Sequence, residues 1–555
     1  MQLEGVGVLS NVPYAARRNI AAEACASLSN DANFSSTLTS REHVQWFIES
    51  VGAAFSLELA DISVIYQATQ IFSCWLSEPE KRPPGAGQFA EDAYVKSLLA
   101  LISNLFTPRR VDSRAQTTGA TQTHIDLCKQ AIQAILGLFK QSHGKASEEL
   151  SVFCMNLSMQ IADSLVSLST LPFCYLAEEL ADDLLSLTFY TFLSFENLDQ
   201  QAWNGLEASF KRWCHRPQAI AHWQAATNAA SAAVMRRLYN QNAELNFFFE
   251  GDQIQITDAA FLTVAWKHLI SFLPDPAALS PQVFTLAVQS LEKIVDVLLF
   301  PVEHTFSMPK PTDANSILRL FGDWLFKAIS SGTNGEQDDA EGRAIAIGIL
   351  CRLFSQPQSR SPIQPVYLEK FYAALHAACT APDSSLFPIV MVIVGSEELF
   401  LSGLAGVRVL MGSLVYAIRQ VIPSPELVLK QRLGQQVSVN LADLRRSCYK
   451  IMNSVFTNLN HFPMVGEDEL VKQFEIKNDC LPIYHANGLR KILVEEAYPA
   501  PLGTVKAAIL DCLFGSLYVE MDANNLRYLL NSLTAIVTDT TPIEPALCSL
   551  FLEIL

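Results

Sequence analysis

Basic residues are in short supply. The 555-residue chain carries 39 Lys and Arg against 56 Asp and Glu, a formal charge of −17. It therefore lacks the cationic surplus that gripping nucleic acid or an anionic lipid surface requires. Charged residues of both signs make up only 17% of the chain while 50% is apolar, which excludes a disordered or collagen-like polymer and leaves ample material for a core. Long uninterrupted apolar runs are missing as well. The densest, Leu386 to Val394, contains Pro388 and is too short to cross a bilayer, so no membrane span is expected. The start, Met1-Gln2-Leu3-Glu4-Gly5, has neither the basic n-region nor the continuous h-region of a secretory signal. The 12 cysteines are scattered from Cys25 to Cys548 with no CxxC among them. Most sit among apolar neighbours, as in Phe153-Cys154-Met155, which predicts buried free thiols in a reducing, cytoplasmic compartment.

Motifs for a reaction centre are equally sparse. Neither the GxxxxGK[ST] phosphate loop nor the GxSxG nucleophile elbow occurs. Pro84-Gly85-Ala86-Gly87 follows no strand and reads as a turn. Cys214-His215 with His222 offers three candidate ligands or a thiol–imidazole pair, but zinc sites usually show two close ligand pairs, so ordinary core and surface residues are favoured. Glu178-Glu179 and Asp182-Asp183 put carboxylates on adjacent helical turns without the Glu-x-x-His partners of a di-iron bundle, and read as a solvated acidic face. The basic pairs Arg17-Arg18, Arg109-Arg110, Arg236-Arg237 and Arg445-Arg446 are too short for a nucleic-acid stripe. An arginine pair can instead anchor a carboxylate in a neighbouring repeat. No catalytic residue, cofactor, metal site or nucleic-acid partner is expected.

What is present is helical periodicity. Thr39-Ser40-Arg41-Glu42 fits a capping box, with Thr39 as the cap, ahead of Val44, Phe47, Ile48, Val51 and Phe55. Ile125, Cys128, Ile132, Ile135, Leu136 and Phe139 repeat the pattern, and Asp258 can cap a helix that ends before Pro274. No sustained alternating strand pattern is found. Loops are expected at Pro79 to Gly87, Thr107 to Thr123, Gly332 to Asp339, Gln356 to Pro365 and Tyr498 to Gly503. Helices so connected predict an all-α fold, an irregular α-solenoid of stacked antiparallel helix pairs of the HEAT or armadillo kind. The expected division is a poorly ordered extension over 1–36, a helical block over 37–310 and a second over 311–555. The last run, Ala546, Leu547, Leu550, Phe551, Ile554 and Leu555, is apolar and uncapped. It predicts a fragment, a truncated gene product or one part of a larger assembly.

Two segments stand out. Asn315-Ser316-Ile317-Leu318-Arg319-Leu320-Phe321-Gly322-Asp323-Trp324-Leu325-Phe326 makes an aromatic-rich helix face. In it Gly322 would admit a neighbouring helix, and Trp324→Ala should cost about 3 to 5 kcal/mol if the ring is buried. Glu341-Gly342-Arg343-Ala344 through Gly348-Ile349-Leu350-Cys351-Arg352-Leu353-Phe354 holds two glycines. Each weakens an isolated helix by about 1 kcal/mol relative to Ala, so close packing must compensate. Both segments read as architectural.

These two segments resemble the N-terminal region of the β subunit of the Ral GTPase-activating protein complex, where an NSIL-x-LFG-x-WLF stretch precedes an EAGRA-x-x-x-G-x-LCR-x-F stretch. Tyr94-Val95-Lys96 through Arg109, Trp213 with His215-Arg216-Pro217 and Trp223, Tyr367-Leu368 with Phe371-Tyr372, and Leu444-Arg445-Arg446-Ser447 resemble family segments in the same order. The likeness runs from about Trp46 to about Asn525. The family's long Ser/Pro-rich insertion ahead of the LFG stretch is replaced by Met308-Pro309-Lys310-Pro311. The resemblance implies a non-catalytic scaffold that binds the catalytic α subunit and acts only indirectly on a Ral-type small GTPase. The family's GTPase-activating domain lies far toward the C-terminus of a longer chain, so no catalytic asparagine is carried over. An independent solenoid adaptor or transport receptor for protein cargo is the alternative.

Overall fold

The computed structural model describes residues 9, 12–30, 34–110, 119–142, 147–167, 175–196, 198–239, 245–299, 312–330, 340–357, 362–380, 386–422, 428–430, 436–438, 440–461 and 502–538. The chain forms two compact units, Met1–Pro274 and Asp275–Leu555. The division lies N-terminal to the one expected at 310.

The first unit contains α1 (Tyr14–Asn30), α2 (Phe34–Thr37), α3 (Arg41–Gly52), α4 (Ile62–Ser77), α5 (Glu91–Ile102), α6 (Ala120–Ser142), α7 (Glu148–Val166), α8 (Tyr175–Ser194), α9 (Gln200–Trp213), α10 (Pro217–Tyr239) and α11 (Ala259–Ser271). Alternate helices pack together. The series α3, α5, α7, α9, α11 makes one layer, and α4, α6, α8, α10 makes the other. That alternation is what a stacked helix-pair solenoid produces, because each helix buries one stripe against its sequence neighbour and another against the helix two places on. Residues 14–30, expected within a poorly ordered extension, form α1, which packs on α3 and α4. Its Tyr14 hydroxyl and Arg18 Nε both donate to buried Asp61, at 2.8 and 2.6 Å.

Caps follow from side-chain chemistry. Ser40, not Thr39, starts α3, its hydroxyl oxygen accepting from the His43 amide at 3.3 Å. Asp258 caps α11 as expected, accepting from the Ala260 amide at 2.8 Å. The apolar positions of α3 and α6 face inward: Val44, Ile48 and Val51 are fully buried, as are Cys128 and Ile132.

The second unit repeats the alternation with α12 (Pro281–Leu299), α14 (Ala340–Phe354), α16 (Leu386–Gly395) and α18 (Leu441–His461) in one layer. Its other layer holds α13 (Ala314–Ser330), α15 (Pro365–Thr380), α17 (Met411–Val421) and α19 (Leu502–Val519), and α20 (Ala523–Thr538) closes on α18 and α19. Each unit is thus an irregular α-solenoid. α14 lies between α12 and α16 in its own layer and touches α13 and α15 in the other, so it is buried almost all round.

Two antiparallel hairpins interrupt the helices. β1 (Asn246–Phe249) pairs with β2 (Asp252–Gln255), and β3 (Val428–Lys430) with β4 (Gln436–Ser438). The first spans only four residues per strand around Glu250-Gly251, too short to register as sustained alternation. Its inner residues Phe247, Phe249 and Ile254 are buried, with β1 on α10 and β2 on α8. The nine cysteines among the described residues are free thiols, and no helix of the described residues is long and apolar enough to cross a membrane. The apolar run Ala546 to Leu555 and the loop Gly332 to Asp339 lie outside the described residues.

Candidate functional site

The two distinctive segments become α13 and α14, and their side chains meet each other and their neighbours inside the second unit. On α13, Ile317, Leu318, Phe321, Gly322, Leu325 and Phe326 are buried, Ser316 and Leu320 face solvent, and Trp324 is only half-buried, its ring stacked on Phe284 at 6.4 Å. Buried Asn315 works through its carboxamide: Nδ2 donates to the Pro362 carbonyl at 3.0 Å, and Oδ1 accepts from the Gln364 amide at 3.2 Å. It fixes the approach to α15.

The glycines of α14 mark close crossings. A Cβ on Gly342 would lie 2.5 Å from the Phe284 ring of α12, and one on Gly348 would meet Met391 of α16 at 3.0 Å. Gly322 is different, since a Cβ there would rest against Tyr367 at 3.4 Å, about ordinary contact. Arg343 is half-buried, Cys351 and Phe354 are fully buried, and Phe354 stacks on Phe371 at 3.9 Å. Arg352 reaches out of α14 to two carboxylates one turn apart on α12, Nη1 to Asp296 and Nη2 to Glu292, each at 2.8 Å. A planar guanidinium can serve both at once; an ammonium could not hold that fork. Burial raises the Glu292 pKa despite the Arg352 charge.

Arg445 and Arg446 sit apart from these, on α18. Arg445 Nη1 donates to the Val519 carbonyl at 3.1 Å, and Arg446 Nε donates to Asn525 Oδ1 at 3.0 Å. The pair clamps the α19–α20 junction, and the Arg446 guanidinium also faces Asp522 at 3.7 Å.

The tryptophan motif of the first unit binds helix to helix. Trp213 Nε1 donates to Asp163 of α7 at 2.9 Å, Arg216 Nε caps α7 at the Val166 carbonyl at 2.8 Å, and Trp223 Nε1 donates to Leu269 of α11 at 2.7 Å. Arg109 is a half-buried staple. It donates to the carbonyls of Leu57 at 2.7 Å, Phe55 at 2.6 Å and Leu105 at 3.1 Å, and its Nη1 rests on His124 Nε2. The same Nε2 lies 2.8 Å from the Leu105 carbonyl, and Nδ1 lies 2.7 Å from the Tyr175 hydroxyl. Burial, then the Arg109 charge, pushes the His124 pKa down to about 3.

Cys214, His215 and His222 do not converge. Cys214 and His215 bond back to carbonyls of their own helix end, those of Lys211 and Arg212. His222 turns to α8 and the hairpin, with Nε2 2.9 Å from Asp182 Oδ1 and Nδ1 against Glu250 Oε1. Glu250 Oε2 accepts from the Ser186 hydroxyl. This cluster is not a serine relay, because Ser186 gives its proton to Glu250 while both ring nitrogens face carboxylates. Nor is it a chelate, since the two carboxylates stand on opposite ring nitrogens. No group of three His, Cys, Asp or Glu among the described residues is placed to hold a metal. The acidic face expected there is exposed at Glu178, Glu179 and Asp182, and from it Asp182 also meets His222.

A cavity of about 740 Å³ opens between α13 and α15, lined by Asp275, Asp323, Phe326, Lys327 and Lys370 among others. Lys327 pairs with Asp275 at 3.0 Å and Lys370 with Asp323 at 3.7 Å. The groove is thus lined by apolar side chains, Phe326 and Ile329 among them, together with both signs of charge. Sequence reasoning reached none of Glu250, Asp163 and His124, which bond to Ser186, Trp213 and Tyr175, 64, 50 and 51 residues away in the chain. The one local signal was Glu250-Gly251 between apolar residues, a two-residue turn.

The RALGAPB N-terminal domain family matches residues 120–241, the span from α6 through α10. Ral GTPase-activating protein subunit beta of Homo sapiens is 23% identical across 92% of this chain and 43% of its own length. A Rap-GAP domain-containing protein of Dictyostelium discoideum is 23% identical across 62% of this chain and 20% of its own length. The chain is similar, along nearly all its length, to a Ral GTPase-activating subunit, and it spans less than half the length of these relatives. Among solved structures, a crystal complex of SYS-1 and POP-1 covers 96% of this chain and 98% of its own at 9% identity, with a TM-score of 0.29.

Proposed function

We propose that this chain is a non-catalytic scaffold region of a Ral-type GTPase-activating protein complex, where it binds and supports a catalytic α subunit. The observation that carries the reading is the similarity to the human subunit beta over 92% of the chain. The fold agrees with it: two helical solenoids in which the converging polar groups just described are spent on joining helices. A GTPase activator orders the attacking water and stabilises charge on the transferred phosphoryl group. In this reading the chain supplies position and stability to the partner that does so. The groove between α13 and α15 is the surface offered to it.

Co-expression with an α-type subunit and gel filtration tests the reading. A stable heteromer is expected, together with faster Ral GTP hydrolysis by the α subunit in the presence of this chain and none from this chain alone. An intact preparation that stays monomeric beside the α subunit sinks it. So does an unchanged hydrolysis rate.

A further inference from the structure

We propose that His222 is the bolt of a pH-operated latch that holds the β1–β2 turn down on α8 and α10. The turn is a two-residue connection, Glu250-Gly251, with φ of 51° and 89°. Both residues are left-handed, as a tight hairpin of this kind requires. Glu250 is the one non-glycine residue with positive φ among the described residues, and a side chain pays for that conformation unless something outside the turn secures it. Its carboxylate supplies the hold, with one oxygen on His222 Nδ1 and the other accepting from Ser186 of α8. His222, whose side chain is only 8% exposed, extends the chain of contacts through Nε2 to Asp182 Oδ1 at 2.9 Å. One imidazole therefore ties the turn, α10 and α8 together.

Protonation decides whether it can. A neutral imidazole has one N–H and no charge, so it can donate to only one of the two carboxylates and its electrostatic pull on Glu250 is lost; the imidazolium donates to both and attracts both. Burial alone would depress the His222 pKa, but the hydrogen bond and charge of Glu250, followed by those of Asp182, outweigh it and the net shift is upward. Burial likewise works to raise Glu250, and the bonds from His222 and Ser186 bring it below its usual value. The other charges nearby are accounted for. Asp183 on α8 interacts with Lys129 of α6, with Asp182 and with His222 itself, and Lys129 also pairs with Glu179 at 3.9 Å. Asp252 is held by Lys140 at 2.7 Å. On α11, Lys267 faces solvent and His268 stacks on Trp203 at 5.2 Å.

The sign follows. A histidine raised in the folded state holds fully below its ordinary value of 6.5 and lets go as pH climbs through the raised one. A carboxylate lowered in the folded state holds above its ordinary 4.5 and lets go as pH falls through the depressed one. The latch is closed between these limits and opens on the alkaline side through His222. Phe247, Phe249 and Ile254 keep the hairpin seated, so opening is confined to the turn end.

The test is an NMR titration of the full chain with selectively labelled histidine, with His222 assigned by its loss in His222→Gln. Hydrogen exchange of the 250–252 amides, corrected for intrinsic pH dependence, is followed in parallel. The expected result is a His222 midpoint above 6.5 that falls in Glu250→Gln and in Asp182→Asn. Several-fold loss of turn protection through the same midpoint should vanish in Asp182→Asn. If His222→Gln does not fold, the resonance is assigned as the one displaced by both carboxamide variants. No resonance displaced by both, a midpoint at or below 6.5, or turn protection that ignores the titration overturns the proposal.

Discussion

The indole N–H of Trp213 reaches back from the end of α9 to Asp163 of α7, 50 residues earlier, and donates at 2.9 Å. Asp163 accepts from Ser167 at 3.2 Å, from Ser209 at 3.1 Å and from Arg212 as well. Four donors on one carboxylate make this a joint between repeats. Asp163→Ala leaves the buried indole N–H without its acceptor and should destabilise the first unit by about 1 to 3 kcal/mol. Thermal denaturation checks it, and an unchanged midpoint would mean the joint contributes nothing.

Gly342→Ala drives a Cβ to within 2.5 Å of the Phe284 ring and should cost about 1 to 3 kcal/mol through forced separation of α12 and α14. Gly137→Ala, on α6 with nothing within 4 Å of the new atom, should stabilise by up to about 1 kcal/mol on helix propensity. Denaturant melts of the two variants should move in opposite directions.

Trp223 is fully buried and donates to a helix-end carbonyl, so Trp223→Ala should cost about 3 to 5 kcal/mol. Trp324 is only partly buried and Trp324→Ala should fall below that range. Equal losses in urea titrations would contradict the burial assigned to the two rings.

His124 is neutral in the fold, with its pKa near 3 against an ordinary 6.5. Between those values the unfolded chain binds a proton that the folded one refuses. Acidification through that window therefore destabilises the first unit, by about 1.4 kcal/mol per pH unit at the steepest. His124→Gln should flatten the dependence. A stability profile from pH 7 to 4 that is identical in the two proteins would refute it.

The helices were legible because their apolar faces recur locally: Val44, Ile48 and Val51 announce α3 from sequence alone. The glycines of α14 were legible too, since two such residues in an apolar helix need a close neighbour, and Phe284 and Met391 are there. Trp324 was harder. Its place on α13 puts it at the margin of the buried stripe, and only the position of α12 decides how much of the ring is covered. The polar joints were not legible, because Asp163, His124 and Glu250 find their partners through the stacking of non-adjacent helices. No spacing rule connects Glu250 with His222 before the hairpin has been placed across α8 and α10. The cap of α3 shows the finest grain of error: Thr39 and Ser40 have equivalent hydroxyls, and backbone geometry alone chose the second.

In both layers of each unit a helix leans on the helix two places along, and some, such as α7 on α8 and α10 on α11, lean on their immediate successor as well. Such an arrangement keeps most contacts short in sequence, which permits assembly to start at several points and spread outward. It also confines injury. A substitution that loosens one crossing, such as that of α12 with α14, should fray its own neighbourhood and leave distant turns of the coil as well ordered as before.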